Sequence, residues 1–319
     1  MDRDIKNVSF VGCGALGILY ASLMLRHLAP EQLQFIAGPD RIARYQQTEF
    51  SANSVRQDFR FVPSEALDAR PADLIILTVK AYGLDDAISL IRNYVGPDTL
   101  ILSFLNGISS EEAIAAAYGP SRVVPCLVSG LDATRTDYAV RFSNPGCIYF
   151  GASEDTRPQD LERIARFFDA VDLPSSCEPD ITRKLWWKFM LNVGTNQTSA
   201  LLRAPYGLFQ SSPDARQIAE MAMREVCALS VKRGIGGAGL GESDIAEVFA
   251  VLDVLDPSGM TSMCQDIRAG RRTEVDIFAA AVIKLGRELG VPVPINTFLY
   301  HAIRALEAEG AATNREARR

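Results

Sequence analysis

The chain has 319 residues, of which 48% are hydrophobic and 23% charged, enough for two globular domains with sizeable cores. Its net charge of −6 comes without a long basic run, and RAGRR (268–272) and the NREARR tail are too short to make one, so no nucleic-acid partner or anionic membrane is expected. The six cysteines, at 13, 126, 147, 177, 227 and 264, contain no C-x-x-C pair, which argues against a zinc site or a disulfide framework and fits buried thiols in a reducing cytoplasm.

From Val8 to Leu25 the chain carries no charge, the length of a membrane span or signal core. Gly12, Gly14 and Gly17 break that run into strand, turn and helix. The turn, VGCGALG, places Gly12, Cys13, Gly14, Ala15, Leu16 and Gly17 between an apolar strand and an apolar helix. In that setting G-x-G-x-x-G is a dinucleotide fingerprint: glycine lets a pyrophosphate approach the backbone, and the helix start offers it unpaired N–H groups. The second strand, LQFIA, ends near Ala37, where an NAD enzyme usually carries an acid for the ribose 2′-hydroxyl. Here Gly38 follows, and Arg41 and Arg44 lie just beyond Asp40. A guanidinium can clamp a 2′-phosphate, so NADP (NADPH) is favoured with Arg41 as its contact, while Asp40 leaves NAD open.

The runs DLIILTV, TLILSF and RVVPCLV continue the alternation of short apolar strands with helical stretches, implying a parallel doubly wound sheet of Rossmann type. Lys80 follows the first of these runs and Asn106 the second, at the strand ends where open α/β sheets bind ligands. YAVRFS and CIYFGA, joined by NPG, read as an antiparallel hairpin at the sheet edge. After the helical PQDLERIARFFDAV comes a loop containing Pro174 and Pro179, and from Asp180 the periodicity is helical throughout. The expected division is a dinucleotide-binding domain at 1–179 and an all-helical substrate domain at 180–319, with the substrate cleft between them.

KLWWKFMLNVGTNQTSAL (184–201) has apolar residues all round its axis, as a buried helix does, yet Lys188, Asn192 and Asn196 recur four residues apart on one stripe. Burying an ammonium and two amides is costly without partners. Reduction of a ketone needs an acid at the carbonyl oxygen. The two histidines, His27 and His301, are poorly placed for it, whereas a lysine desolvated on an apolar helix, its pKa lowered, can serve. Asn192 and Asn196 can then hydrogen-bond the substrate's polar groups. Further on, Thr273 and Asp276 have the spacing of a helix start, which puts Glu274 in a first helical turn. Glu274 either complements the helix dipole or, with Ser262, reaches into the cleft, its carboxylate orienting Lys188 or the substrate.

These segments together, GCGALG, VKAYG, LNGISSEE, WWKFMLNVGTNQTSAL and TSMCQDIRAGRRTEVD, resemble the 2-dehydropantoate 2-reductase (ketopantoate reductase) family over nearly the whole chain. The resemblance implies NADPH-dependent reduction of ketopantoate to pantoate, a step of pantothenate and coenzyme A biosynthesis in the cytoplasm. It makes Lys188 the catalytic lysine and Glu274 the catalytic glutamate. Asn192, Asn196 and Ser262 match substrate-contacting positions, and Lys80 and Asn106 match residues between cofactor and substrate. Two positions depart from the pattern. Tyr206 stands where members place another substrate-binding asparagine, which opens the way to a different 2-keto acid, and Gly38 stands where the phosphate-binding arginine often lies. A 3-hydroxyacid dehydrogenase of the 6-phosphogluconate type and a non-catalytic dinucleotide sensor are the rival readings. A helical second domain could also form a homodimer.

Overall fold

A computed structural model describes residues 4–316, with side chains through 310, so the side chains of the NREARR tail lie outside it. The chain divides into two compact units, Met1–Ile181 and Thr182–Arg319.

The first unit contains, in order, β1 (Val8–Val11), α1 (Ala15–Met24), β2 (Leu33–Ala37), α2 (Pro39–Gln46), β3 (Phe50–Ala52), β4 (Val55–Gln57), β5 (Phe61–Pro63), β6 (Leu74–Leu77), α3 (Leu84–Leu90), β7 (Leu100–Ser103), α4 (Ser110–Tyr118), β8 (Cys126–Leu131), β9 (Thr134–Thr136), β10 (Ala139–Arg141), β11 (Pro145–Gly151), α5 (Pro158–Ala170) and β12 (Ser175–Glu178). Its main sheet has the order β5-β2-β1-β6-β7 with every pair parallel. All residues of β1, β6 and β7 are buried, as expected when helices cover both faces. Successive residues serve different cores: Phe10, Ile76 and Leu102 join Ile18 of α1 and Ile164 of α5, whereas Val11, Leu77 and Ile101 join Ala87 of α3 and Ile114 of α4. The chain winds from β1 outward through β2 to β5 and then crosses back to β6, which makes the β1/β6 boundary the topological switch point.

Three expectations about the later strands need correction. RVVPCLV does not extend the parallel sheet: after one bridge from Val123 to Ile101, Pro125 has no N–H to offer the ladder, and the chain leaves as β8. That strand joins a separate sheet of order β12-β11-β8, in which β8 is antiparallel to β11. YAVRFS and CIYFGA do not pair with each other either. β10 folds back on β9 through Asp137, at φ 52°, and runs parallel to β3, while Asp132 accepts the Ser143 and Asn144 amides and holds the NPG turn apart as a junction between sheets. Finally, the stretch between Pro174 and Pro179 forms β12, parallel to β11.

The second unit follows as helices: α6 (Ile181–Leu202, beginning at the last residue of the first unit), α7 (Gly207–Ser211), α8 (Pro213–Arg233), α9 (Glu242–Val254), α10 (Ser262–Arg268), α11 (Ala279–Leu289) and α12 (Pro294–Glu316). No strand occurs among its described residues. α8 is delimited as its sequence suggests, with Ser212 accepting from the Ala215 amide, Pro213 at the first position and Gly234 left-handed at the end. α6 meets α8 at Gly194, where a Cβ would stand 2.5 Å from Met223 Cγ and 2.9 Å from Ala219 O. A buried polar chain ties three helices together. The Glu225 carboxylate of α8 accepts from the Ile295 and Asn296 amides at the start of α12, and Asn296 Oδ1 accepts from Gln197 Nε2 of α6 at 3.0 Å. Among the described residues no helix is long and apolar enough to cross a membrane, and no acidic, His or Cys cluster could hold a metal ion.

Candidate active site

Four sequence-derived residues of the first unit gather at the carboxyl ends of neighbouring parallel strands: Gly12 after β1, Arg41 after β2, Lys80 after β6 and Asn106 after β7. Two glycines of the turn after β1, Gly12 and Gly17, have no room for a side chain. Gly12 has φ 105°, and a Cβ on Gly17 would lie 2.0 Å from Gly12 O and 2.7 Å from Thr78 Oγ1. Gly14 precedes α1 as its N-cap with no side-chain cap, so the first amides of Ala15, Leu16 and Gly17 face whatever the turn encloses. Cys13 is buried, and burial pushes its thiol far above the ordinary range against the pull of Arg135 and then Arg41.

Thr78, absent from the sequence-derived set, locks the turn in place. Its amide donates to Val11 O at 2.8 Å and its hydroxyl to Gly12 O at 2.7 Å, joining β6 to the glycine turn across the switch point. The only signal in the sequence was a polar residue closing an apolar strand. Lys80, half-buried, directly precedes a short 3-10 turn at Ala81–Gly83. Asn106, also half-buried, stands before Gly107 at φ 93° in a loop closed at its base by the buried Ser103–Ser110 hydrogen bond of 2.8 Å. Arg41 is exposed in the first turn of α2 and, with Gly38 and Asp40, lines a cavity of about 710 Å³ that also reaches Ser64 and Asn93.

In the second unit α6 carries the polar stripe. Asn192 and Asn196 are each only 7% exposed, but Lys188, expected to be buried, is half-buried. Among the described residues, Asn192 Nδ2 is buried without a hydrogen-bond partner, as are Trp187 Nε1, Gln197 Oε1 and Thr198 Oγ1 of the same helix. An unpaired buried amide donor costs about 1–3 kcal/mol, so Asn192 is suited to meet an acceptor on a bound molecule.

The later segment differs in detail from its sequence reading. Glu274 does not lie in a first helical turn, because α11 begins only at Ala279. The Thr273 hydroxyl accepts from the Val275 amide two residues on and itself donates to Glu307, so the spacing makes a local turn and not a helix start. Glu274 is 5% exposed in this turn, and Phe278 at its end packs 6.5 Å from Phe189, the neighbour of Lys188. Ser262 is exposed at the first position of α10; the inward place belongs to Thr261, which caps the helix and meets Ser199 of α6 at 2.5 Å. Tyr206 precedes α7 with its amide on Gly259 O and its ring against the Gly259 backbone, and burial raises its phenol above the usual value.

Two family models match the sequence: ketopantoate reductase PanE/ApbA over residues 8–155, and the C-terminal part of ketopantoate reductase PanE/ApbA over residues 180–307. A 2-dehydropantoate 2-reductase of Pyrococcus horikoshii is 27% identical over 247 residues, 77% of this chain and 79% of that protein. A PanE/ApbA family ketopantoate reductase from Ralstonia eutropha JMP134 shares the fold with a TM-score of 0.79 at 22% identity, covering 96% of this chain and 99% of its own. D-mandelate dehydrogenase, solved with NADH and anilino(oxo)acetate, shares it with a TM-score of 0.83 at 21% identity and the same coverage of 96% and 99%.

Proposed function

Because the chain belongs to the ketopantoate reductase PanE/ApbA family and is thereby an oxidoreductase, we propose that it reduces a 2-keto acid with NADPH, ketopantoate to pantoate being the first substrate to test. That reaction would place it in pantothenate and coenzyme A biosynthesis.

The first unit fits a dinucleotide. A side chain at Gly12 or Gly17 would collide with Thr78 or the turn's own backbone and so distort the turn, and the amides at the start of α1 suit a diphosphate. Arg41 is the contact for the 2′-phosphate, in the cavity beyond Gly38, and Lys80 and Asn106 are assigned to the nicotinamide end by the family pattern. When bound, the reduced nicotinamide supplies the hydride. The second unit handles the carbonyl. Lys188 holds the proton taken up by the carbonyl oxygen, Glu274 orients the lysine, and Asn192 and Asn196 hold the polar groups of the keto acid. Ser262 is assigned to the substrate by the family pattern alone. The observation that carries this reading is the α6 stripe, where Asn192 Nδ2 is buried without a partner four residues from a lysine on an otherwise apolar helix.

Tyr206 favours a second substrate. A phenol lacks the paired donor and acceptor of the amide expected there, so the site offers one fewer partner to ketopantoate's hydroxyl and more apolar surface to a keto acid without it. D-mandelate dehydrogenase, which has this fold, was solved with NADH and anilino(oxo)acetate, which supports including an aryl keto acid among the candidates. The experiment is a panel of ketopantoate, 2-ketoisovalerate and phenylglyoxylate with NADPH and NADH, following loss of reduced nicotinamide. Turnover of at least one keto acid, faster with NADPH, is expected; no turnover of any would overturn the reading.

A further inference from the structure

Arg135 has no role in the assignments above, yet its guanidinium lies close to the glycine turn. It lies on β9, which pairs with β10, and β10 and its neighbour β3 pack on α1. This mixed sheet brings Arg135 over the start of α1, where its Nη1 is 3.9 Å from the position a Cβ would take on Gly14. Two neighbours fix the guanidinium: its Nε donates to the Asp137 carbonyl, and its face lies 5.1 Å from the centre of the Tyr138 ring. The side chain is exposed. The Cys13 thiol feels its charge more than that of Arg41.

We propose that Arg135 binds the cofactor's diphosphate, closing over the glycine turn so that the anion sits between the amides of α1 on one side and a guanidinium on the other. The proposal rests on the dinucleotide reading given above. Gly14 is the glycine through which a diphosphate approaches the helix, whereas the 2′-phosphate belongs beyond Gly38, so Arg135 and Arg41 divide the anionic groups between them. Arg135 thus acts on NADH and NADPH alike. Its stacked, hydrogen-bonded pose lowers the ordering cost of binding, and a planar fork suits two phosphate oxygens better than an ammonium does.

The test measures dissociation constants of NADPH, NADH and 2′-AMP, which has the 2′-phosphate but no diphosphate, by calorimetry for the wild type, Arg135→Met, Arg135→Lys and Arg41→Ala. Arg135→Met is expected to weaken both dinucleotides about tenfold or more and leave 2′-AMP within about twofold, with Arg135→Lys in between. Arg41→Ala should weaken NADPH and 2′-AMP and spare NADH. Unchanged dinucleotide affinity in Arg135→Met would overturn the proposal, and so would a loss confined to NADPH and 2′-AMP, which would move Arg135 to the 2′-phosphate. Should Arg135→Met fail to fold, Arg135→Lys decides: NADPH and NADH weakened together support the proposal, and wild-type affinity for both overturns it. A wild type that binds neither dinucleotide would remove the underlying reading as well.

Discussion

Lys188, Arg41 and Tyr206 make different predictions because each is assigned a different part of the reaction. Lys188→Ala is expected to lower kcat by roughly 10²-fold or more, as loss of a general acid does, with NADPH affinity nearly unchanged. Steady-state kinetics together with cofactor titration checks this; wild-type kcat in folded protein would make the lysine structural. Arg41→Ala should weaken NADPH by about 1.5–3 kcal/mol, the range for a charged hydrogen bond, and NADH little. Equal losses for both cofactors would sink the 2′-phosphate assignment. Tyr206→Asn should raise the ratio of kcat/KM for ketopantoate over 2-ketoisovalerate by roughly 2- to 13-fold, one neutral hydrogen bond's worth. A ratio that stays put would leave Tyr206, whose ring packs on Gly259, with a structural role. The residues of these predictions were legible because each breaks a local pattern: a lysine in an apolar helix, an arginine past a strand end, a tyrosine in place of an amide. Thr78 gave only the weak sign of a polar residue closing an apolar strand, and Arg135 gave none. Their importance comes from Gly12 and Gly14, more than 60 and 120 positions away along the chain, and no local window contains both ends of such a contact.

Elements show the same division. The glycine turn and the β1–α1 junction were readable since strand, turn and helix are consecutive, and the all-helical second unit was readable from its period. Partnership between strands was not. YAVRFS and CIYFGA have the alternation of a hairpin, but β10 pairs with β9 and β3, and β11 with β8 and β12. Alternation tells which face of a strand is buried, not which strand lies beside it. The start of α11 was misplaced because Thr273 offers its hydroxyl to a local turn and to Glu307, two competitors for a capping role. At this scale the contact of Ser199 with Thr261 invites a test, since it joins α6 to the start of α10. Thr261→Ala removes both a cap and this link, and should cost about 0.5–2 kcal/mol in urea unfolding. It should also raise KM for the keto acid more than it lowers kcat, if α10 helps shape the substrate site. A stability loss with unaltered KM would restrict the contact to folding.

On the scale of the molecule, the proposed ligands divide between the two units, nucleotide with 1–181 and keto acid with 182–319. Hydrogen exchange should follow the same division: NADPH slows exchange in the glycine turn and in 38–46, and a substrate analogue added afterwards slows exchange along α6. Protection by NADPH confined to the second unit would contradict the assignment. Chain order has a further consequence for the first unit. β3 obtains its parallel neighbour only when β10 exists, since Ser51 lies beside Ala139 and Ala52 beside Val140. At about 5–20 residues per second, a ribosome takes roughly 4–18 s to make the intervening chain. During that interval the aromatic residues Tyr45, Phe50, Phe59 and Phe61, which pack on one another in the finished unit, must wait without Tyr138. The nascent chain thus carries a sticky aromatic cluster beside an unpaired strand edge for several seconds, the period in which a holding chaperone would be of most use to it.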